Sequence, residues 1–259
     1  MTDPTPRPAS PTSPTRRSRR WWYIGGAVVL VLALAGAGMW YFVFRDDSPP
    51  AVDIERASES LDSRGAGGTR PASSIDGTWT IDPSIGTIGD FTSNFGGYRV
   101  QEELASIGAK TAVGRTPDVE GSLTIDGKKI PNANFTANLS TLQSDEDRRD
   151  NAIRGQALET STFPEATFTL TTPIEVDSVP TEGEKITVDA TGDLTLHGVT
   201  REVTMPLEAT RNGDVIAVTS QLDILFADFD IEQPRSFAVL SIEDHGILEV
   251  QLFFTRQSP

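Results

Sequence analysis

From residue 119 to the end of the chain, apolar and polar side chains alternate with a period of two. Ile186, Val188, Ala190, Leu194 and Leu196 alternate with Thr187, Asp189, Thr191, Asp193 and Thr195, the pattern of a strand with one face in water. His197 and Gly198 separate this run from a second, with Val199, Val203, Met205 and Leu207 on one face. Two residues ending in glycine between alternating runs predict a tight hairpin in which Gly198 takes positive φ. Asn212-Gly213 predicts the next turn, after which Ile216, Val218, Leu222, Ile224 and Phe226 follow at spacing two or its multiples. Leu248, Val250, Leu252 and Phe254 repeat the pattern, and so do Leu123 with Ile125, then Ala133, Phe135, Ala137 and Leu139, then Phe168 with Leu170.

One segment breaks the alternation. In Ser144–Thr160, Ser144 or Asp145 can cap a helix, acids crowd the first turn, and Asp145 with Arg149 and Asp150 with Arg154 stand at i,i+4. The pattern therefore predicts an all-β domain with one short helix, built on an antiparallel sheet of about eight strands, each apolar on one side. Such a sheet buries that side by closing into a barrel or by packing on a second sheet, and periodicity fits both.

The first 74 residues read differently. Trp21–Phe44 is 24 residues without a formal charge, about 36 Å as a helix, which crosses a hydrocarbon core of about 30 Å with some tilt. Aromatic rings stand at both ends, the basic run RRSRR precedes the segment, and Arg45, Asp46 and Asp47 follow it. These features predict a single transmembrane helix in the plasma membrane with the N-terminus cytoplasmic and the remainder extracytoplasmic. A cleaved signal peptide is the alternative, but the apolar stretch runs past the small residues at 33–38 to Phe44. The twin arginines also invite a twin-arginine export reading. Residues 1–20, with five prolines and many Ser and Thr, predict a disordered cytoplasmic tail. Residues 45–74, rich in Pro and Gly, predict a flexible linker, and the folded domain is expected over 75–257.

Charge and composition narrow the chemistry. The formal net charge is −15, with +4 in residues 1–20 and −20 after Arg45, so the body repels phosphate backbones and no nucleic-acid partner is expected. The absence of cysteine excludes disulfides, thiolate metal sites and cysteine catalysis. Of the two histidines, His197 falls at a hairpin tip without a G-x-S-x-G elbow. His245 follows Glu243 and Asp244, and in a strand three consecutive residues cannot converge on a metal. The run SDEDRRD lacks the glycine and glutamate positions of an EF-hand loop, and NFGG lacks the lysine of a phosphate loop. No catalytic or metal-ligating residue is assigned and no cofactor is expected, so an apolar interior points to binding rather than turnover.

Three segments, taken together, resemble the YceI family of bacterial envelope proteins. GDLTLHGVTREV (192–203) is similar to its G-x-L-T-I-x-G-V-T hairpin, RRDNAIRGQALETSTFPEATF (148–168) to its R-D-x-x-[ILM]-R helix and following loop and strand, and VEGSLTI (119–125) to the strand before them. The resemblance covers about residues 75–254 in the same order. The histidine-bearing segment often found near the family's first strand has no counterpart in DPSIGTIGDFTSNFGGYRV, so no role of that histidine carries over. The resemblance implies an eight-stranded antiparallel lipocalin-like barrel whose lumen holds a polyisoprenoid or other long-chain amphiphile, a bound isoprenoid lipid or quinone being the cargo. By alternation, the lumen-facing residues are Phe135, Leu139, Phe168, Leu170, Leu194, Leu196, Val203, Leu207, Val218, Leu222 and Ile224. Each of these equally serves ordinary core packing. The competing expectation is a filled barrel acting as a non-enzymatic interaction module of the cell envelope; the sequence names no protein partner.

Overall fold

In a computed structural model, residues 17–44, 48–62, 75–105, 108–237 and 239–256 are described. The alternating runs form strands β4 (Val119–Asp126), β5 (Lys129–Asn138), β6 (Glu165–Leu170), β8 (Lys185–Leu196), β9 (Val199–Asn212), β10 (Val215–Leu225) and β12 (His245–Arg256). The remaining strands are β1 (Gly77–Ile81), β2 (Phe95–Leu104), β3 (Gly108–Thr116), the short β7 (Ile174–Glu175) and β11 (Val239–Ile242). Antiparallel pairing runs β1-β4-β5-β6-β8-β9-β10-β12 and returns from β12 to β1, which closes an eight-stranded barrel. Closure decides between the two packings left open by periodicity.

The seam of the barrel is β12. One of its edges pairs with β10 along the whole strand, from Val215 opposite Thr255 to Leu225 opposite His245. Its other edge is shared: Phe254–Arg256 pair with Ile81–Trp79 of β1, and Ile247–Gln251 pair with Arg99–Phe95 of β2. Between these partners, Phe253 donates its N–H to Asn94 Oδ1 at 2.6 Å, and its carbonyl accepts from Asp82 N at 2.9 Å. No backbone group of the seam at that point is left for water. β1 thus closes one half of the barrel, while at the other half β2 carries β3 and β11 on its edges as a flare.

The hairpin at His197-Gly198 has positive φ at both residues, 50° and 75°, with Leu196 opposite Val199, as a two-residue turn matched to strand twist requires. The next turn is shifted by one residue: Asn212 pairs with Val215, so Gly213 and Asp214 make it. The predicted helix is shorter than expected. α3 spans Asp147–Ala152 and continues as a wider turn over Ile153–Ala157, with Glu146 rather than Ser144 or Asp145 as its cap. Arg149 pairs with Asp145, but Asp150 instead accepts from Ser144 N and Oγ at 2.8 and 2.6 Å. Arg154 donates to Leu142 O at 2.7 Å. The R-D-x-x-I-R pattern therefore ties this segment back to the chain before it.

The stretch 45–74, expected as a flexible linker, holds an ordered strap instead. Residues 48–53 lie along the outer wall and α2 (Ile54–Asp62) follows, with Asp53 Oδ1 accepting from Arg56 N at 3.1 Å. Ile54, Ala57 and Leu61, spaced for one helix face, bury against Val215, Ala217 and Phe253, the outward residues of β10 and β12. Upstream, Glu249 is completely buried and accepts from Arg99 Nε at 3.1 Å and Arg115 Nη2 at 2.9 Å. The same two guanidiniums donate to Pro49 O and Pro50 O, each at 2.7 Å, and Val52 N reaches Glu249 at 3.4 Å. Burial pulls the Arg115 guanidinium below its ordinary value, and Glu249 works against that shift. Residues 63–74 and 45–47 lie outside the described residues.

Residues 1–45 form a separate unit. Its helix, α1 (Arg17–Phe44), begins four residues before the uncharged run, inside the stretch expected as a disordered tail; residues 1–16 of that tail are outside the described residues. Among the described residues no helix is long and apolar enough to cross a membrane. Some side chains of α1 are outside the described set.

Strap packing yields a measurable expectation. Leu61→Ala in the 46–259 unit is expected to cost about 2–5 kcal/mol, as a buried leucine truncation does. Glu249→Ala, which leaves two buried guanidiniums without their carboxylate, is expected to cost about 3–5 kcal/mol. Urea unfolding measures both, and values near zero would return the segment to the status of a loose tether.

Candidate lipid-binding cavity

Inward side chains leave two cavities along the barrel axis. The narrow one, about 150 Å³, lies toward the β4–β5 hairpin and is lined by Ile125, Ile130, Ile186, Met205, Leu252 and Phe254 among others. The wide one, about 640 Å³, lies at the flared half, within the range of about 300–1,000 Å³ usual for small-molecule sites. Phe135 and Val250 touch both and form the waist. Phe168 stands directly opposite Phe135 across β5 and β6. Its ring lies over Gly192, where an added Cβ would come within 2.6 Å of the Phe168 Cζ. Glycine at that position is what lets the aromatic side chain cross the lumen.

Of the eleven inward residues expected from alternation, eight line the cavities. Phe135, Phe168, Leu207 and Val218 border the narrow one, while Phe135, Leu139, Leu194, Leu196 and Ile224 border the wide one. Leu170, Val203 and Leu222 border neither and pack within the apolar core. Leu170, Gly192 and Val203 stand in one register row across β6, β8 and β9, and the Phe168 ring takes up the space over Gly192 in that row. Leu139 belongs to the turn after β5 rather than to the strand, with Asn138 Oδ1 accepting from Ser140 N at 3.0 Å.

The floor of the wide cavity is apolar and its rim is charged. Among its lining residues Leu194, Leu196, Ala137 and Ile224 are buried, Asp145, Glu146, Arg148, Glu232 and Arg235 are exposed, and buried Glu102 and half-buried Arg149 stand between them. Arg149 donates to Glu102 at 2.6 Å and also pairs with Asp145. Burial works against the Arg149 charge, but these two carboxylates outweigh it and hold its pKa above the ordinary value. Burial likewise pushes the Tyr98 hydroxyl well above the usual phenol range, so this ring presents a neutral hydrogen-bonding group in the wide cavity. Alternation did not reveal Tyr98, Ile153, Ile231, Val239 or Ile242. They come from the wide turn, from the partly buried β2, and from the segment between β10 and β12 that contains the short β11.

The histidines have local partners. His197 Nδ1 lies 3.1 Å from Phe229 O and Nε2 lies 3.0 Å from Glu159, with the Phe163 ring edge-on at 4.8 Å between centroids. It joins the β8–β9 turn to the two segments that border the wide opening. Contrary to the expectation of diverging side chains, the β11–β12 bend brings His245 to 3.0 Å from Asp244 and 3.6 Å from Glu243. Hydrogen bonding to Asp244 raises the His245 pKa and lowers that of Asp244. Among the described residues no group of three or more such side chains has the geometry to hold a metal ion.

The fold is a closed antiparallel barrel with an apolar lumen. The YceI-like domain family matches residues 79–254, and the chain belongs to that family. Protein YceI of Escherichia coli O6:H1 is 33% identical over 123 residues, covering 46% of this chain and 58% of that protein. Protein YceI of Salmonella arizonae is 35% identical over 124 residues, with the same coverage. The chain thus spans little more than half the length of these curated relatives. Among solved structures, a polyisoprenoid-binding domain from Saccharophagus degradans, implicated in plant cell wall breakdown, superposes with a TM-score of 0.52 at 20% identity. That match covers 70% of this chain and 99% of the other, and it shows the fold. The strap at 48–62 lies outside the family match.

Gly192→Ala, whose Cβ would meet the Thr169 carbonyl oxygen as well as the Phe168 ring, is expected to push both aside and to destabilise the barrel by about 1–3 kcal/mol, the usual cost of overpacking a core. Thermal or urea unfolding measures the cost. A neutral outcome would show that the Thr169 carbonyl and the Phe168 ring both give way freely over Gly192.

Proposed function

We propose that this protein is a membrane-anchored extracytoplasmic binding protein that holds or transfers an isoprenoid-tailed or other long-chain amphiphilic lipid in its barrel. The observation that carries the reading is the wide cavity of about 640 Å³, apolar below and charged at its rim, which matches the two ends of an amphiphile. The name of the Saccharophagus domain points to the same ligand class. A cavity of this size also speaks against a filled barrel serving only as an interaction module.

Anchoring rests on the uncharged run Trp21–Phe44, its aromatic ends and the basic residues before it. In this reading the helix is a single span of the plasma membrane, the N-terminus is cytoplasmic and the barrel stands outside. The lipid or quinone is cargo, and the reading requires neither a cofactor nor a catalytic residue.

Energetics favour exchange over extraction. Burying ten CH₂ groups from water is worth about 8 kcal/mol, but a tail leaving a bilayer gains almost none of this because its starting environment is equally apolar. A barrel held beside the bilayer gains in encounter frequency what it lacks in driving force.

The test is native mass spectrometry and organic extraction of residues 46–259 made in a bacterial envelope compartment. A co-purifying isoprenoid lipid near stoichiometric yield is expected. Leu194→Glu, on the cavity floor, is expected to abolish uptake while circular dichroism still reports the folded barrel. A clean unliganded mass that also refuses added quinones and polyprenols would reject the reading.

A further inference from the structure

We propose that the narrow end of the barrel is a second binding site, in which Arg211 takes the anionic head of a medium-chain amphiphile, a carboxylate or a phosphate, and the narrow cavity takes its alkyl chain. The site is separate from the wide cavity on which the lipid-carrier reading stands. The register of β9 turns Arg211 inward. Met205, Leu207, Ala209 and Arg211 alternate along one face of the strand, and all four line the narrow cavity. Across the pair with β10, Ala209 stands opposite Val218 and Arg211 opposite Ile216, which line the same cavity, whereas Thr210 stands opposite Ala217 of the outer layer. An arginine thus occupies a position that the alternation of this strand gives to an apolar side chain.

Within the barrel this half-buried guanidinium has no acceptor. Its Nε is buried without a hydrogen-bond partner, and among the described residues no ion pair, side-chain hydrogen bond or ring contact engages the rest of the group. By contrast, Arg99, Arg115, Arg149, Arg154, Arg201 and Arg256 each donate to a carboxylate or a backbone carbonyl. Glu184, the carboxylate among the lining residues, is engaged elsewhere: its Oε2 accepts from Thr181 N at 2.8 Å and from Thr181 Oγ1 at 2.9 Å. Glu175 is paired with Lys129 at 2.6 Å. Arginine stays charged at physiological pH, and buried donors in native proteins are almost always satisfied. Burial of Nε fixes the stem in the barrel wall. Nη1 and Nη2, neither buried nor bonded, keep their N–H donors for the paired oxygens of a carboxylate or phosphate.

The cavity behind Arg211 fits a chain. Ile186, Val188, Leu207, Ile216, Val218 and Phe254 stand in its wall, and Phe135 closes it at the waist. Lys128, Lys129 and Glu184 line it and are exposed, so it opens to water at their end. Gly183 donates its N–H to Arg211 O at 2.8 Å, which sets that opening beside Arg211. The volume is about 150 Å³, and an apolar cavity of that size holds a benzene-sized molecule, so about six carbons of chain fit between opening and waist. A cation at the mouth of an apolar pocket recognises an ionised head on a short tail, whereas a neutral alcohol leaves the charge unanswered.

The test is isothermal titration calorimetry of residues 46–259, the unit that contains the whole closed barrel and its strap, with octanoate, octyl phosphate and 1-octanol. At least one anion is expected to bind about tenfold more tightly than octanol, the scale of a charge-assisted hydrogen-bonded pair. The tighter of the two anions identifies the head as carboxylate or phosphate. Arg211→Met keeps the apolar stem without the charge, and is expected to abolish the preference while octanol binding stays unchanged. Ala133→Phe, which fills the narrow cavity and leaves the wide one alone, is expected to abolish binding of all three, with circular dichroism reporting the fold; if it unfolds, Arg211→Met decides by itself. No binding of either anion, octanol bound as tightly as both, or a preference that survives Arg211→Met would each overturn the proposal, as would anion binding by folded Ala133→Phe. Isoprenoid lipid is expected to co-purify with Arg211→Met as with the parent protein. Anion binding without co-purified lipid would reject the carrier reading alone, and co-purified lipid without anion binding would reject the Arg211 site alone.

Discussion

The backbone hydrogen bonding of β12 is the constraint on which the rest of this barrel depends. A strand edge left open in an eight-stranded sheet invites pairing with other chains, and closure removes it. Here one edge of β12 serves two partners, β1 at one half and β2 at the other, and the junction is completed by the Asn94 side chain and the Asp82 amide. Since β1 ends where β2 begins, the wall is tight at one half and flared at the other. The narrow and wide cavities follow from that change of partner.

The same strand is buried on both faces. Leu248, Val250, Leu252 and Phe254 face inward, whereas Glu249, Gln251 and Phe253 face an outer layer made by the strap and the loop before β2. An outer wall carrying Phe253 and Ala217 would expose apolar surface without α2, and Glu249 would be exposed beside two guanidiniums without Pro49 and Pro50. Burying three charges together is costly in itself. What it secures is the position of the strap, because the guanidiniums that neutralise Glu249 have donors left over for two strap carbonyls.

Much of the barrel was legible. β4, β5, β6, β8, β9, β10 and β12 alternate because one face is apolar and the other wet, and eight of the eleven residues read as inward do line the cavities. β2 and β3 escaped for the opposite reason. Gly96 and Gly97 sit where strands approach closely, and Val113 through Thr116 are buried whichever way they point, so no alternation is written there. The strap was misread because its Pro, Asp and Glu content is that of a linker, while its partners lie from 50 to 197 residues away in sequence.

Local pattern by itself determined that the chain makes one-sided antiparallel strands, a tight turn at His197-Gly198, a short helix near residue 150, an uncharged helix-length segment near the N-terminus, and an apolar interior. These follow from nearest-neighbour chemistry: period, turn residues and charge. Tertiary structure alone decided that the sheet closes, that its seam divides between β1 and β2, that Phe168 crosses the lumen over Gly192, and that residues 48–62 clamp the outer wall. Each of those depends on which distant strands meet and in what register, and a one-dimensional pattern holds the faces of a strand but not the identity of its neighbours.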